Sequence, residues 1–292
     1  MVQASRFRAL LQRDRLIVAP GAYDCLTARL IEQAGFAAVY MTGAGTAASL
    51  GYPDFGLVTM SEMVANAQRI AAAVEVPVIA DADTGYGNEL NVFRTVQEYE
   101  RCGAAAIHIE DQVFPKKCGH LAGKEVIPRE DYVAKIRAAC AARQDRDFTI
   151  IARTDARAVA GFNEAIARAN SALAAGADMA FVEAPETEEE VAAVPRLVNG
   201  PCLLNVERGG KTPDVDLREA EEMGYKLAIV PGLLIKSVVG VCQSVLSELR
   251  TIHRHPALAK EMTVGDVFQL FGANEWDALR NRFRPPAREA AE

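Results

Sequence analysis

The feature that most constrains this chain is an eightfold alternation. Short runs of β-branched and apolar residues recur at 16–19, 37–41, 76–82, 104–110, 148–153, 179–183, 202–206 and 226–230. Each is followed by a polar or glycine-containing loop and then a helical stretch. The runs are apolar throughout, as parallel strands buried on both faces require. In the stretch 61–74, Met63, Val64, Ala67, Ile70, Ala71 and Val74 recur at three- and four-residue spacing, which gives one apolar stripe and a helix start near Ser61. The stretches 163–175 and 131–142 follow the same rule. Gly35, Gly103, Gly176 and Gly224 each fall between a helical stretch and the next strand, where a left-handed residue ends a helix. Eight such units predict an α/β fold, a (β/α)8 TIM-type barrel. An open doubly wound sheet is the alternative, but no GxGxxG follows the first strand.

After about residue 250 the alternation stops. The stretches 262–271 and 275–283 read as extra C-terminal helices. The expected organisation is therefore a barrel catalytic domain over 1–250 and a helical extension over 251–292, packed on the barrel wall or at a subunit interface. Two loops are long for this fold, 42–59 and 111–128. Long structureless loops in compact domains are usually functional. Both follow strands, so both lie at the C-terminal face where such barrels carry their chemistry.

Composition narrows the function. Half of the 292 residues are hydrophobic, ample for a packed core, and the net charge is −7. That acidity argues against a nucleic-acid partner. It also means that an anionic substrate needs a local basic site. Charges interrupt the N-terminus, so no signal-peptide core is expected there. The most apolar window, 227–246, contains Pro231, Lys236 and Gln243 and splits into a strand half and a helix half, which argues against a membrane span. The six cysteines form no CxxC pair and read as reduced thiols in a cytoplasm, five of them as packing residues.

Polar residues gather at the strand ends: Asp81 and Asp83 after the third, Glu110 and Asp111 after the fourth, Arg153 and Asp155 after the fifth, Glu183 after the sixth, Asn205 and Glu207 after the seventh. One such carboxylate is as readily a cap or a loop tie. Several at one rim repel each other unless a cation is present. Hard oxygen donors with room for water suit Mg²⁺, and the lack of a His pair at ligand spacing argues against zinc. The fourth loop carries Lys116-Lys117-Cys118-Gly119-His120. Two flanking lysines are expected to lower the thiol pKa within a mobile lid. Mg²⁺, Lys116, Lys117 and Arg153 would supply the local positive field.

The segments DADTGYGN (81–88), HIEDQ (108–112), KKCGH (116–120) and IARTDA (151–156) resemble the isocitrate lyase/phosphoenolpyruvate mutase superfamily. The resemblance runs from about Phe7 to the C-terminal helices. It is strongest to the short carbon–carbon lyases, which act on methylisocitrate, 2,3-dimethylmalate, other 2-alkylmalates or oxaloacetate. It implies that Thr42, Gly43 and Ala44 hold a substrate carboxylate through backbone N–H groups. It implies that Asp54 joins Asp81, Asp83 and Glu110 around Mg²⁺ (or Mn²⁺ as a substitute), partly through water. Cys118 is then the catalytic acid, with Lys116 and His120 as further catalytic residues beside it. Arg153 contacts substrate and stabilises developing negative charge. Gly119, Glu183 and Asn205 complete the substrate surroundings. The family fold further implies an eighth helix exchanged between subunits, in a homotetramer built as a dimer of helix-swapped dimers.

The sequence departs from the methylisocitrate branch at Thr42-Gly43-Ala44, where Ser-Gly-Gly is typical, and at Leu121, where KRCGHR is typical. Losing that arginine removes a partner for a third substrate carboxylate. ERGGKTP (207–213) resembles the alkylmalate-cleaving branch, whereas Asn205 resembles the methylisocitrate branch. The lid cysteine disfavours the phosphonate mutases, and KKCGH disfavours the oxaloacetate decarboxylases. The expected reaction is Mg²⁺-dependent cleavage of a 2-alkylmalate such as 2,3-dimethylmalate to pyruvate plus a carboxylic acid. Alternatives are methylisocitrate cleavage to pyruvate and succinate, or action on phosphonopyruvate or oxaloacetate.

Overall fold

The computed structural model describes residues 2–284. Eight parallel strands close into a barrel in sequence order. They are β1 (Ile17–Ala22), β2 (Val39–Met41), β3 (Val78–Asp81), β4 (Ala106–Glu110), β5 (Thr149–Thr154), β6 (Met179–Val182), β7 (Cys202–Asn205) and β8 (Leu227–Val230). β8 returns to β1 with Ile17 opposite Leu227 and Pro20 opposite Val230. The (β/α)8 reading therefore holds.

The two-residue period of a strand explains how the barrel is filled. Ile79, Ile151, Phe181 and Leu203 belong to the inner core, with Ile17, Tyr40, Leu227 and Ile229. Two residues further on, on the same faces, stand Asp81, Arg153, Glu183 and Asn205, all buried. Each of these four strands thus gives an apolar residue to the barrel's middle and a polar one to its C-terminal rim. Burying each large apolar side chain contributes about 1.5–3 kcal/mol. The polar layer above it costs free energy unless its members pair with one another.

Three local features differ from the sequence reading. β1 continues through Pro20-Gly21 to Ala22, because the barrel wall closes tightly there; a β-carbon on Gly21 would lie 2.3 Å from the Pro231 carbonyl oxygen. The loop after β2 is not structureless: Gly43–Ser49 forms a helix, started by the Thr42 side chain accepting from the Gly45 N–H. The next helix is Met60–Ala73, and it begins at Thr59 rather than Ser61, because Thr59 and Glu62 form a reciprocal capping box. Gly35, Gly103, Gly176 and Gly224 all have the positive φ expected of helix-ending glycines. An N-terminal helix, Val2–Leu11, adds Phe7 to the inner core.

Two compact units are distinguished, Met1–Val238 and Val239–Glu292. The helix Leu233–Ile252 runs through the division and has no buried residue, although Val238, Val239, Val241 and Leu246 lie on it. Cys242, expected to pack, is exposed on that helix. The second unit also contains helices Val264–Gln269 and Ala273–Phe283. No helix among the described residues is long and apolar enough to cross a membrane.

Candidate active site

A cavity of about 310 Å³ opens at the C-terminal rim of the barrel. Of the residues expected at the site, Thr42, Ala44, Asp54, Asp81, Cys118, Gly119, His120, Arg153, Glu183 and Asn205 line it. Gly43, Asp83, Glu110 and Lys116 stand directly behind that wall. The Gly43 N–H is engaged by Asp81 Oδ2 at 3.2 Å, and a β-carbon on Gly43 would lie 2.5 Å from the same oxygen.

The acidic side is built by β3 and β4. Asp83 adopts a positive φ of 45°, a strained conformation for a residue with a side chain. It is held there because its N–H donates to Asp81 Oδ1 (2.9 Å) and its carbonyl accepts from the Glu110 N–H (2.9 Å). Lys116 reaches in from the lid, its Nζ 2.5 Å from Asp54 Oδ1 and 2.6 Å from Asp83 Oδ1. Burial acts to lower the Lys116 pKa, but Asp83 and Asp54 overcome it and raise it well above the usual value. Burial pushes Asp83 up to about 6, against Lys116, and raises Glu110 well above the carboxylate range, against Arg153. Asp81 behaves oppositely. Burial opposes its ionisation, yet His108, Lys116 and Arg153 hold it down to about 2. Because burial drives His108 itself to about 4, Lys116 and Arg153 are the cations that act at neutral pH.

Whether a divalent ion suits this corner can be judged from its oxygens. Asp83 Oδ1 and both Glu110 oxygens accept no hydrogen bond, and their polar contacts are the ion pairs with Lys116 and, at 3.2 Å, Arg153. Four carboxylates therefore face two cations, and Arg153 is shared with Asp155 as well. Among the described residues no three His, Cys, Asp or Glu side chains converge closely enough to hold a metal ion by themselves. Mg²⁺ needs no such cluster, since it uses one or two carboxylates and keeps several waters. Hard, under-satisfied oxygens in negative excess fit it.

Arg153 is the centre of the opposite side. Its Nε donates to Asp155 Oδ2 (2.8 Å), and its guanidinium lies 5.1 Å from the Phe181 ring centre. Burial disfavours its charge, but Asp155, Glu110 and Glu183 keep it protonated. His120 accepts from the Lys211 N–H at Nδ1 and approaches Glu183 Oε1 at 3.3 Å with Nε2. Asn205 Nδ2 donates to both Glu183 oxygens at 3.2 Å, while its Oδ1 has no hydrogen-bond partner.

The lid is seated over this arrangement. The Cys118 thiol pKa is raised, not lowered as its flanking lysines suggest. Burial is the main cause, opposed by the backbone at His120, with Asp54 and Glu183 adding to it. Neither lysine is directed at it: Lys116 is turned to Asp54 and Asp83, and Lys117 Nζ donates to the Gly123 carbonyl at 3.2 Å. Lys117 does not line the cavity. A protonated thiol is the form that can give up a proton.

Tyr40 and His108 were hidden inside strand runs. The Tyr40 hydroxyl lines the cavity, lies 2.8 Å from His108 Nε2 and donates to Asp81 Oδ2 at 3.3 Å. A neutral His108 protonated at Nε2 satisfies both contacts. Glu207, Lys236, Ile229, Pro231 and Ile235 complete the wall, with Lys236 paired to Glu207.

Comparison with known proteins agrees with this geometry. Residues 7–250 match the family model of phosphoenolpyruvate phosphomutase. The chain is 51% identical over 232 residues to 2,3-dimethylmalate lyase of Eubacterium barkeri, covering 79% of this chain and 80% of that one. It is 45% identical over 271 residues to 2-methylisocitrate lyase of Aeropyrum pernix, covering 92% and 87%. A crystal structure of 2,3-dimethylmalate lyase superposes with a TM-score of 0.92 at 43% identity, covering 100% and 99%. One of phosphonopyruvate hydrolase with oxalate and Mg²⁺ gives 0.88 at 32%, covering 97% and 99%. The chain is a member of the phosphoenolpyruvate mutase/isocitrate lyase superfamily.

Proposed function

We propose that this carbon–carbon lyase cleaves a 2-hydroxydicarboxylate of the 2-alkylmalate class, such as 2,3-dimethylmalate, to pyruvate and a monocarboxylic acid. The observation that carries the reading is that a half-buried Cys118 thiol and Arg153 line one cavity with an acidic, cation-ready corner. Asp81, Asp83 and Glu110, with Asp54 near, would hold Mg²⁺ partly through water, and Mn²⁺ takes the same donors. Bound there, the ion would supply Lewis acidity that favours loss of the substrate's hydroxyl proton to solvent, which balances the proton later returned to the thiolate.

The chain's own groups supply the rest. Arg153 holds negative charge where it develops, and the Ala44 N–H at the start of its helix is placed for a carboxylate. When the C2–C3 bond breaks, C2 becomes the ketone of pyruvate and the bonding pair stays with the other fragment as an enediolate-like carboxylate. The Cys118 Sγ–H protonates that carbon, leaving a thiolate that solvent reprotonates after the lid opens. Lid residues 118–120 close the cavity and keep water from the carbanion-like fragment until then.

The favoured substrate carries two carboxylates. A tricarboxylate such as methylisocitrate needs a further cation, but Arg153 is committed to Asp155 and Glu110, and Lys236 to Glu207. Ile229, Pro231 and Ile235 offer an apolar wall for an alkyl group instead. Similarity to 2-methylisocitrate lyase and the presence of Asn205 support the second reading. The test is a panel of 2,3-dimethylmalate, methylisocitrate, oxaloacetate and phosphonopyruvate. Pyruvate release is followed by a lactate dehydrogenase couple, and phosphate release by phosphorus NMR. Turnover of phosphonopyruvate alone would sink the lyase assignment.

The same reading includes assembly and compartment. The uncovered apolar face of Leu233–Ile252 supports a helix exchanged between subunits, with residues beyond 250 at the interface, in a homotetramer. Light scattering on the eluting protein reports its mass directly. A reduced thiol as proton donor suits a cytoplasmic enzyme. Its partners are small carboxylates rather than nucleic acid or membrane.

A further inference from the structure

Lys124 lies in the lid beyond the KKCGH segment, yet it is 8% exposed. Its Nζ donates to the Gly119 carbonyl at 2.5 Å and to Asp155 Oδ1 at 2.8 Å. Asp155 is fully buried at the end of β5, and the same carboxylate receives Arg153 through Nε and Nη2. The Asp155 N–H is in turn fixed by Asp111 Oδ1 (2.8 Å), and Asp111 Oδ2 is held by Thr154 and Arg168. One braced carboxylate therefore holds both the lid's lysine and the arginine of the cavity. A buried ammonium is tolerated only when its hydrogen-bonding partners are in place. One of these partners, Asp155, stands on the barrel and the other is the carbonyl of the residue after Cys118, so the set is complete only with the lid seated. Lys116, at the acidic corner, and His120 also tie the lid to the barrel. Lys124 is tied to a carboxylate, Asp155, that also receives hydrogen bonds from Arg153.

We propose that Lys124 is the latch of the lid, a positioning residue that seats Cys118 over the cavity and, through Asp155, sets the orientation of Arg153. This rests on the lyase reading for its kinetic consequence alone, because seating of the lid can be measured without substrate. In Lys124→Met, iodoacetamide at fixed pH is expected to alkylate Cys118 severalfold faster than in the parent, with exposed Cys242 as the internal reference in peptide mass spectrometry. The kcat with 2,3-dimethylmalate is expected to fall about a hundredfold, the scale of a misplacement near 1 Å, with KM changed much less. Lys124→Arg retains charge and donors and should restore slower labelling and part of the rate. Parent-like Cys118 labelling in Lys124→Met overturns the proposal, and so does Lys124→Arg labelling as fast as the methionine variant. If Lys124→Met does not fold, Asp155→Asn breaks the same latch from the barrel side. Fast Cys118 labelling in that variant supports the proposal and parent-like labelling overturns it.

Discussion

Gly119 and Glu183 approach so closely that a β-carbon on Gly119 would lie 2.3 Å from Glu183 Oε1 and 2.6 Å from Arg153 Nη2. The glycine is required by proximity rather than by a left-handed backbone. Gly119→Ala is expected to hold the lid off its seat while leaving the barrel intact. Its kcat should fall about a hundredfold, with a melting temperature close to the parent's. Parent-like turnover would show that the lid need not seat this tightly.

The under-satisfied oxygens of Asp83 and Glu110 lead to a metal prediction. Treatment with a chelator should remove turnover, and added Mg²⁺ should restore it. Asp83→Asn and Glu110→Gln should each weaken Mg²⁺ binding, measured by calorimetry, by about tenfold or more, on the scale seen when groups around a metal are altered. Binding unchanged in the double variant would place the ion elsewhere.

Much of the site was legible because a strand's period is two. Polar residues at the ends of apolar runs had to share the rim with the barrel interior, so Asp81, Glu110, Arg153, Glu183 and Asn205 could be gathered before any coordinates. Tyr40 and His108 escaped because each sits within an apolar run and they meet only across strands far apart in sequence. Lys124 and Asp155 meet only through the closure of the lid, which leaves no local signal. The helix Gly43–Ser49 is rich in glycine and small residues, so its composition reads as loop; Thr42 supplies the missing start. The Cys118 environment was misjudged because neighbours in sequence are not neighbours in space, and both flanking lysines point elsewhere.

The N-terminal helix offers a test of stability apart from catalysis. Phe7 is fully buried in the inner cluster with Ile17, Ile79, Phe181 and Leu227. Phe7→Ala removes a large side chain and leaves a cavity that the rigid barrel cannot close. The expected loss is about 3–5 kcal/mol, read by denaturant unfolding. A loss under about 1 kcal/mol would mean that the helix is not seated against the barrel core.

The raised Cys118 pKa fixes the sign of one pH effect. The proposed donor is the neutral thiol, and burial favours the neutral form, so the group stays competent until pH passes its elevated pKa. An ordinary thiol would lose its proton near ~8.5. The alkaline limb of the kcat profile should therefore lie above that value. Rate is retained at lower pH and lost as pH rises through the folded-state pKa. Cys118→Ser replaces the donor with a much weaker acid and should lower kcat by about 10²–10⁴-fold, the range for a lost general acid, with the thiol's limb gone from what activity remains. A Cys118→Ser variant with full turnover would remove the thiol from the reaction. An alkaline limb well below ~8.5 that disappears in the same variant would mean that the thiol is activated after all, as its lysine neighbours first suggested.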